Sequence, residues 1–233
     1  MISTPTLGPD RGAGLRRRVT KCRRCPRLIA YAKKVAAERP PRFAESTFWG
    51  KPVSGFGDLD GRLLVIGLAP ARTGGLRTGR IFTGDASSSF LVNALHEAGF
   101  ANQPSSDSID DGLVYRDCYI TAAVKCAPPG DKPNPDEFAN CAPFMDEEIA
   151  LMGNLQSVLA LGAFAFRAYS GHLTRRGVSV HGLKFAHGKV YRFPGVPSLY
   201  ASYHPSPRNT NTGKLTSAML AAVLSRIKHE FAK

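Results

Sequence analysis

No apolar run in this 233-residue chain approaches the ~18 residues needed to cross a bilayer. The opening residues, Met1-Ile2-Ser3-Thr4-Pro5, carry no apolar leader of the kind that directs secretion. Membrane and secreted classes are set aside on these grounds. A cytoplasmic location is expected, where cysteines bind metal or react more often than they form disulfides. Acidic residues are scarce too: 18 Asp and Glu stand against 31 Lys and Arg, a formal charge of +13. There is no internal repeat and no sign of a second domain. With 43% hydrophobic residues, the chain suits one globular unit with a full core.

The charge is unevenly placed. Residues 1–42 hold twelve Lys or Arg and two acids, Asp10 and Glu38, a net of +10; the other 191 residues carry +3. A basic arm on a weakly basic body fits a polyanion, with nucleic acid ahead of anionic lipid. A solvated tail that aids solubility fits the same charge. Residues 1–19, rich in Gly, Pro and Arg without periodicity, are read as a basic flexible arm, and 20–233 as a single domain.

Four short apolar runs predict buried strands: Leu63–Ile66, Cys118–Ala122, Val158–Leu161 and Ser198–Ala201. Helical patterning begins near Cys22 and runs to Ala37, where Pro40-Pro41 stops it. Further helical patterns lie near 87–98, 136–152 and 162–170, and a last one spans roughly 214–232. Residues 40–61 read as irregular but ordered. Strands alternating with helices predict an α/β fold with a parallel sheet covered on both faces.

Three features carry chemistry. The first is Tyr203-His204-Pro205-Ser206-Pro207-Arg208-Asn209, directly after the last apolar run. Its two prolines stiffen the loop and restrict the residues before them. A rigid polar loop at the carboxyl end of a strand in an open α/β sheet is where ligands bind. The second is the segment from Gly67 to Asp85, with five glycines in nineteen residues and three arginines, Arg72, Arg77 and Arg80, that suit phosphate contacts. Glycine lets backbone approach a ligand closely. The G-x-G-x-x-G spacing of dinucleotide sites is absent, and Gly213-Lys214-Leu215-Thr216 is no P-loop because Leu215 fills the Ser/Thr position. Asp85 stands before a helical pattern, where an N-cap is the ordinary role.

The third feature is cysteine. Cys22 and Cys25 form a C-x2-C, and Cys126 and Cys141 lie about a hundred residues on, with fourteen residues between them. Cys118, within a predicted strand, reads as a small core residue. The wide second pair counts against a zinc ribbon, which shows two close pairs. Four thiolates spread over loops suit an iron–sulfur cluster at least as well. Four unconnected thiols remain open.

Together these pieces resemble the uracil-DNA glycosylase superfamily, most closely its family 5 branch, the iron–sulfur enzymes called type B in bacteria and archaea. The resemblance covers about residues 20–230. It rests on Gly67-Leu68-Ala69-Pro70, on Arg77-Thr78-Gly79-Arg80 through Phe82-Thr83-Gly84-Asp85, on Val124-Lys125-Cys126-Ala127-Pro128-Pro129-Gly130, and on His204-Pro205-Ser206-Pro207-Arg208-Asn209. The implied fold is a three-layer α/β/α sandwich with a small, mainly parallel, four-stranded central sheet.

The resemblance implies a monofunctional DNA repair glycosylase that flips a deaminated base out of the duplex and hydrolyses its N-glycosidic bond, leaving an abasic site. Asp85 then matches the carboxylate that stabilises the sugar and orients water, which outweighs the cap alone. His204 matches the histidine that contacts the leaving base, as a neutral donor. Phe82 matches the stacking aromatic, though without the resemblance it would read as core. Gly67, Ala69, Ala122 and Ser206 fall in the substrate-binding motifs, and Arg208 and Asn209 would contact phosphates and the space left by the flipped base. Cys22, Cys25, Cys126 and Cys141 would hold a structural 4Fe–4S cluster. The expected partner is double-stranded DNA carrying deaminated bases, with single-stranded DNA as a second form, bound by a monomer on the prokaryotic nucleoid.

Two departures are visible. Relatives in other branches place an acid or Asn where this chain reads Leu68-Ala69-Pro70, so the carboxylate must come from elsewhere. Several place an Asn on the second strand to read uracil, whereas Ala122 can neither donate nor accept. Activity on hypoxanthine and xanthine as well as uracil is therefore expected. Thr73 and Leu76 stand where His and Asn are often seen. Two other functions compete: a module that binds deaminated bases without cutting, and an iron–sulfur redox protein, in which the His204 loop has no purpose. A base–protein crosslinking relative would need an inserted loop for which Arg80-Ile81-Phe82-Thr83 leaves no room.

Overall fold

The computed structural model describes residues 10–232. Four parallel strands form the middle of a six-stranded sheet: β2 (Leu63–Gly67), β3 (Cys118–Ala122), β4 (Ser157–Leu161) and β6 (Val196–Ser202). The order is β1-β3-β2-β4-β6-β5, with β1 (Phe56–Gly57) and β5 (Val190–Phe193) antiparallel at the two edges. The expected four-stranded parallel sheet is thus present and extended by two edge strands. Their absence from the sequence reading has physical causes. Two residues are too short to show any period, and β5 is only partly buried, so its Val-Tyr-Arg-Phe is not a continuous apolar run.

Alternation along each strand divides the core. Leu63 and Val65 of β2, with Ile120, Leu159 and Tyr200, pack on one face beneath α4 (Ala86–Glu97) and α8 (Ser217–Phe231). Leu64 and Ile66, with Tyr119, Val158 and Leu199, pack on the other beneath α5 (Pro135–Leu151) and α6 (Ala163–Arg175). Every residue of β2, β3 and β4 is buried, as the runs require when both faces are covered. Cys118 is fully buried in β3, as expected.

The amino-terminal part differs from expectation. Helix α1 (Ala13–Lys21) occupies most of the described part of the stretch read as a flexible arm. Leu15 and Val19, one turn apart, bury against Phe144 of α5. Gly12, Gly14 and three consecutive arginines hide that spacing in the sequence. Residues 1–9 of the expected arm lie outside the described residues. The helix expected from Cys22 begins only at Pro26: α2 (Pro26–Glu38) starts with Pro at its first position and Cys25 before it. The C-x2-C therefore forms the break between two helices. Among the described residues no helix is long and apolar enough to cross a membrane.

Parallel strands place their carboxyl ends on one edge. Four connections emerge there: the glycine-rich segment after Gly67, which contains α3 (Gly75–Thr78); the loop from Ala123 to Asn134; the turn at Gly162; and the Tyr203–Ser206 loop leading into α7 (Pro207–Thr210). The sheet reverses its order about β2, with β3 on one side and β4 on the other, so a crevice opens at that edge.

Candidate active site

A cavity of about 1080 Å³ occupies the crevice. Asp85, from the glycine-rich segment, and His204, from the last strand's loop, both line it, 119 residues apart in sequence. Ala69, Ser206 and Arg208 line it as well. These expected residues come together from two separate connections.

Asp85 caps α4. Its Oδ1 accepts from the Ser88 backbone N–H at 2.9 Å, while the Ser88 hydroxyl closes a capping box on the Asp85 N–H at 3.0 Å. The two readings of this residue are therefore not exclusive: it is an N-cap, and its carboxylate also borders the cavity. Burial pushes its carboxyl above the ordinary range, opposed by the Ser88 and Ser87 N–H groups and then by the Arg77 charge. Gly74 permits the arrangement, since a Cβ there would stand 1.9 Å from Asp85 Oδ2.

Burial alone pushes His204 down to about 4, so its imidazole is neutral at physiological pH. No protein group among the described residues hydrogen-bonds its ring. The loop beneath it is fixed instead: Asn209 Nδ2 donates to the His204 carbonyl at 2.8 Å. Ser206 accepts from the Asn209 and Thr210 N–H groups as the cap of α7. Asn209 thus clamps the histidine loop with one of its two amide N–H groups. Arg208 remains exposed on the cavity rim.

Behind the histidine lies a tight stack. Phe82 is 7% exposed and stacks on His204 with ring centroids 6.0 Å apart. A Cβ on Gly67 would come within 2.8 Å of the Phe82 ring, and Gly67 pairs in register with Ala122, itself buried in the same cluster. Gly67, Phe82 and Ala122 form the backing of the pocket and do not line its open part.

The three arginines of the glycine-rich segment do not behave alike. Arg80 is 3% exposed and spent on Asp111, Thr83 and Ser106. Arg77 donates to backbone carbonyls. Arg77 is half-buried on the cavity wall and Arg72 is exposed, so only Arg80 is withdrawn from the surface. A buried arginine needs its whole donor set satisfied, which the sequence cannot display. Residues that the sequence reading missed also line the cavity: Arg42, Phe43, Asp107, Asp131 and Phe164. Phe164 follows Gly162 at the end of β4, a position that the strand-end rule could have flagged; the others carry no local signal.

Of the four cysteines, Cys25, Cys126 and Cys141 are buried in one cluster with Leu28 and Val124, and Cys22 is half-buried at the end of α1. Among the described residues no group of three or more His, Cys, Asp or Glu is gathered as for a single metal ion. Burial pushes the Cys25 and Cys126 thiols up and Cys141 to about 11. Two amide donors nevertheless point at the sulfurs: Lys125 N–H to Cys141 Sγ at 3.4 Å, and Asn140 Nδ2 to Cys25 Sγ at 3.6 Å.

Comparison with known proteins gives the family. Residues 54–228 match the family described as the uracil DNA glycosylase superfamily. A type-5 uracil-DNA glycosylase of Pyrobaculum aerophilum is 47% identical over 209 residues, covering 90% of this chain and 88% of its own. One from Thermus thermophilus is 45% identical over 90% of this chain and 94% of its own, and one from Mycobacterium leprae 42% identical over 90% and 93%. Type-4 enzymes match more distantly, as at 28% identity over 194 residues for that of Thermotoga maritima. The chain belongs to the uracil-DNA glycosylase superfamily, on its type-5 branch.

Proposed function

We propose that this chain is a monofunctional DNA repair glycosylase that hydrolyses the bond between deoxyribose and uracil. One observation carries the reading: a half-buried carboxylate and a neutral imidazole border the same cavity, large enough for a flipped nucleotide. Cleavage develops positive charge on the sugar and negative charge on the departing base. Asp85 answers the first and orients the attacking water. His204 answers the second by donating from its neutral ring, and needs no proton of its own to be lost. Phe82 holds the imidazole plane from behind. Arg208 and Arg42, exposed along the cavity, and Arg72, exposed on the adjoining segment, suit flanking phosphates, and the basic face of α1 extends the contact.

Ala122, in the backing of the pocket, brings no polar side chain to the position from which an Asn would read the base. Polar discrimination is weakened there, and hypoxanthine and xanthine join uracil as substrates. Strict uracil specificity on duplexes with single lesions would remove this part of the reading.

The four cysteines suit a structural 4Fe–4S cluster. Amide donors aimed at sulfur fit thiolates, and thiolates buried among Leu28 and Val124 need a cationic centre to offset desolvation. A cubane spreads its ligands over four corners, so they stand further apart than the ligands of one ion. Bound there, it would supply no chemistry, only a tie between α2 and the loop after β3. Visible absorption that is lost in Cys126→Ser supports the cluster; a colourless protein with bound zinc overturns it.

The experiment for the whole reading compares Asp85→Asn with wild type for free-base release and duplex binding. Asn caps a helix about as well as Asp, so the variant tests charge with the fold kept. Loss of release with binding retained supports catalysis. Equal release removes Asp85 from the mechanism, and binding without release in wild type leaves a recognition module.

A further inference from the structure

Arg77 is the cation beside the carboxylate, and the chemistry above does not use it. Its Nε donates to the Thr73 carbonyl at 2.8 Å and its Nη2 to the Gly84 carbonyl at 3.1 Å. Thr73 precedes Gly74, against which the Asp85 carboxylate lies, and Gly84 precedes Asp85 itself. One guanidinium thus ties together the two backbone segments that sandwich the carboxylate. The approach is possible because residue 84 is glycine. Its φ is +76°, and a Cβ there would stand 2.2 Å from Arg77 Nη2. The Phe43 ring covers the guanidinium, with the central carbon 4.5 Å from its centroid, so the group is held between backbone and aromatic face. No carboxylate forms a salt bridge with Arg77 among the described residues, which leaves its charge for Asp85.

We propose that Arg77 is a positioning residue for the reaction: it fixes the backbone that presents the Asp85 carboxylate and is the stationary cation opposite it. The inference rests on Asp85 acting as the catalytic carboxylate. The other charged and titratable groups around the cavity are Asp131 from the loop after β3, Asp107 from the segment after α4, Arg42, His204 and Arg208. Asp131 opposes ionisation of Asp85, and Arg77 is the neighbour whose charge favours it.

The test is single-turnover release of uracil from a duplex across pH by wild type, Arg77→Gln, Arg77→Lys and Phe43→Ala. Arg77→Gln is expected to fall roughly 100-fold at neutral pH, as a displaced reacting group does. Its acid limb is expected to move to higher pH, because a carboxylate without its cation ionises later. Binding of a non-hydrolysable uracil duplex should persist. Arg77→Lys keeps the charge without the fork, so its limb should stay near wild type while its rate falls. Phe43→Ala loosens the guanidinium and should also slow release. A purely structural role would lower melting temperature and leave the limb in place. Arg77→Gln with wild-type rate and limb overturns the proposal. If Arg77→Gln does not fold, wild-type rates in both Arg77→Lys and Phe43→Ala overturn it equally. Wild type releasing no base is a different result and defeats the glycosylase reading itself.

Discussion

Gly67 offers a direct test of the backing behind His204. In Gly67→Ala the new methyl would stand 2.8 Å from Phe82 Cε2 and 2.9 Å from Cζ. Ordinary carbon contacts lie near ~3.5–4.0 Å, so the ring must retreat by about 1 Å. It has little room to do so. Phe82 is 7% exposed, its backbone already holds φ at +49°, and His204 stacks against it. Overpacking of this kind costs about 1–3 kcal/mol. For a chain of this size each kcal/mol lowers Tm by roughly 2–4 °C, so a fall of roughly 2–12 °C is expected. A ring pushed toward the imidazole also displaces the donor. A misplacement of about 1 Å costs on the order of 100-fold in rate. Differential scanning fluorimetry and single-turnover release read the two effects. Gly153→Ala is the control, since its methyl would meet nothing within 4 Å. The double variant Gly67→Ala, Phe82→Leu should recover stability by trimming the ring. Gly67→Ala that melts and cuts as wild type does would show that the stack has slack.

Three further outcomes follow from the same structure. Lys125→Met leaves Glu148 buried without its 2.6 Å partner and should destabilise the fold by about 3–5 kcal/mol in urea titration; a change under 1 kcal/mol would mean the pocket admits water. His204 titrates at about 4 in the fold against about 6.5 unfolded, so stability it confers is complete above pH ~6.5 and is lost as pH falls toward ~4. Release should show no inflection from this group near neutrality, and His204→Ala should flatten the acid loss of stability; an inflection near pH 6.5 that vanishes in His204→Ala refutes the buried neutral ring. Replacing Arg17 and Lys21 with Gln should reduce the salt dependence of duplex binding by up to about 0.9 per lost phosphate contact, and an unaltered slope would make the α1 face a bystander.

The middle of the sheet was legible because burial on both faces leaves Leu63–Ile66 wholly apolar and Cys118–Ala122 without a charge, and the site's punctuation was legible because glycine and proline announce unusual backbone. What stayed hidden depends on partners distant in sequence. The helix over Ala13–Lys21 needs Phe144 to bury Leu15 and Val19. Arg80 looks like a surface cation until Asp111 and Ser106 close around it. That Asn209 also ties down its own loop shows only when an amide N–H meets the carbonyl of His204. Asp85 posed a choice between cap and carboxylate that sequence logic treats as exclusive. In three dimensions one oxygen serves the helix while the same side chain lines the cavity, so the cap does not rule out the carboxylate.

Asp85 is held by Ser88 on one side, by the Gly74 backbone on another, and by a segment that Arg77 straps down. A carboxylate so confined cannot follow a wandering sugar, so the nucleotide has to travel the whole distance. With Asp85 as the proposed catalytic carboxylate, the mobile partner in the encounter would be the DNA, and substrates should rank by how readily their duplex surrenders a nucleotide. Uracil in a wobble pair with guanine should then be released faster than uracil paired with adenine, with no contact to the opposing base; equal rates would show that the protein shares the movement.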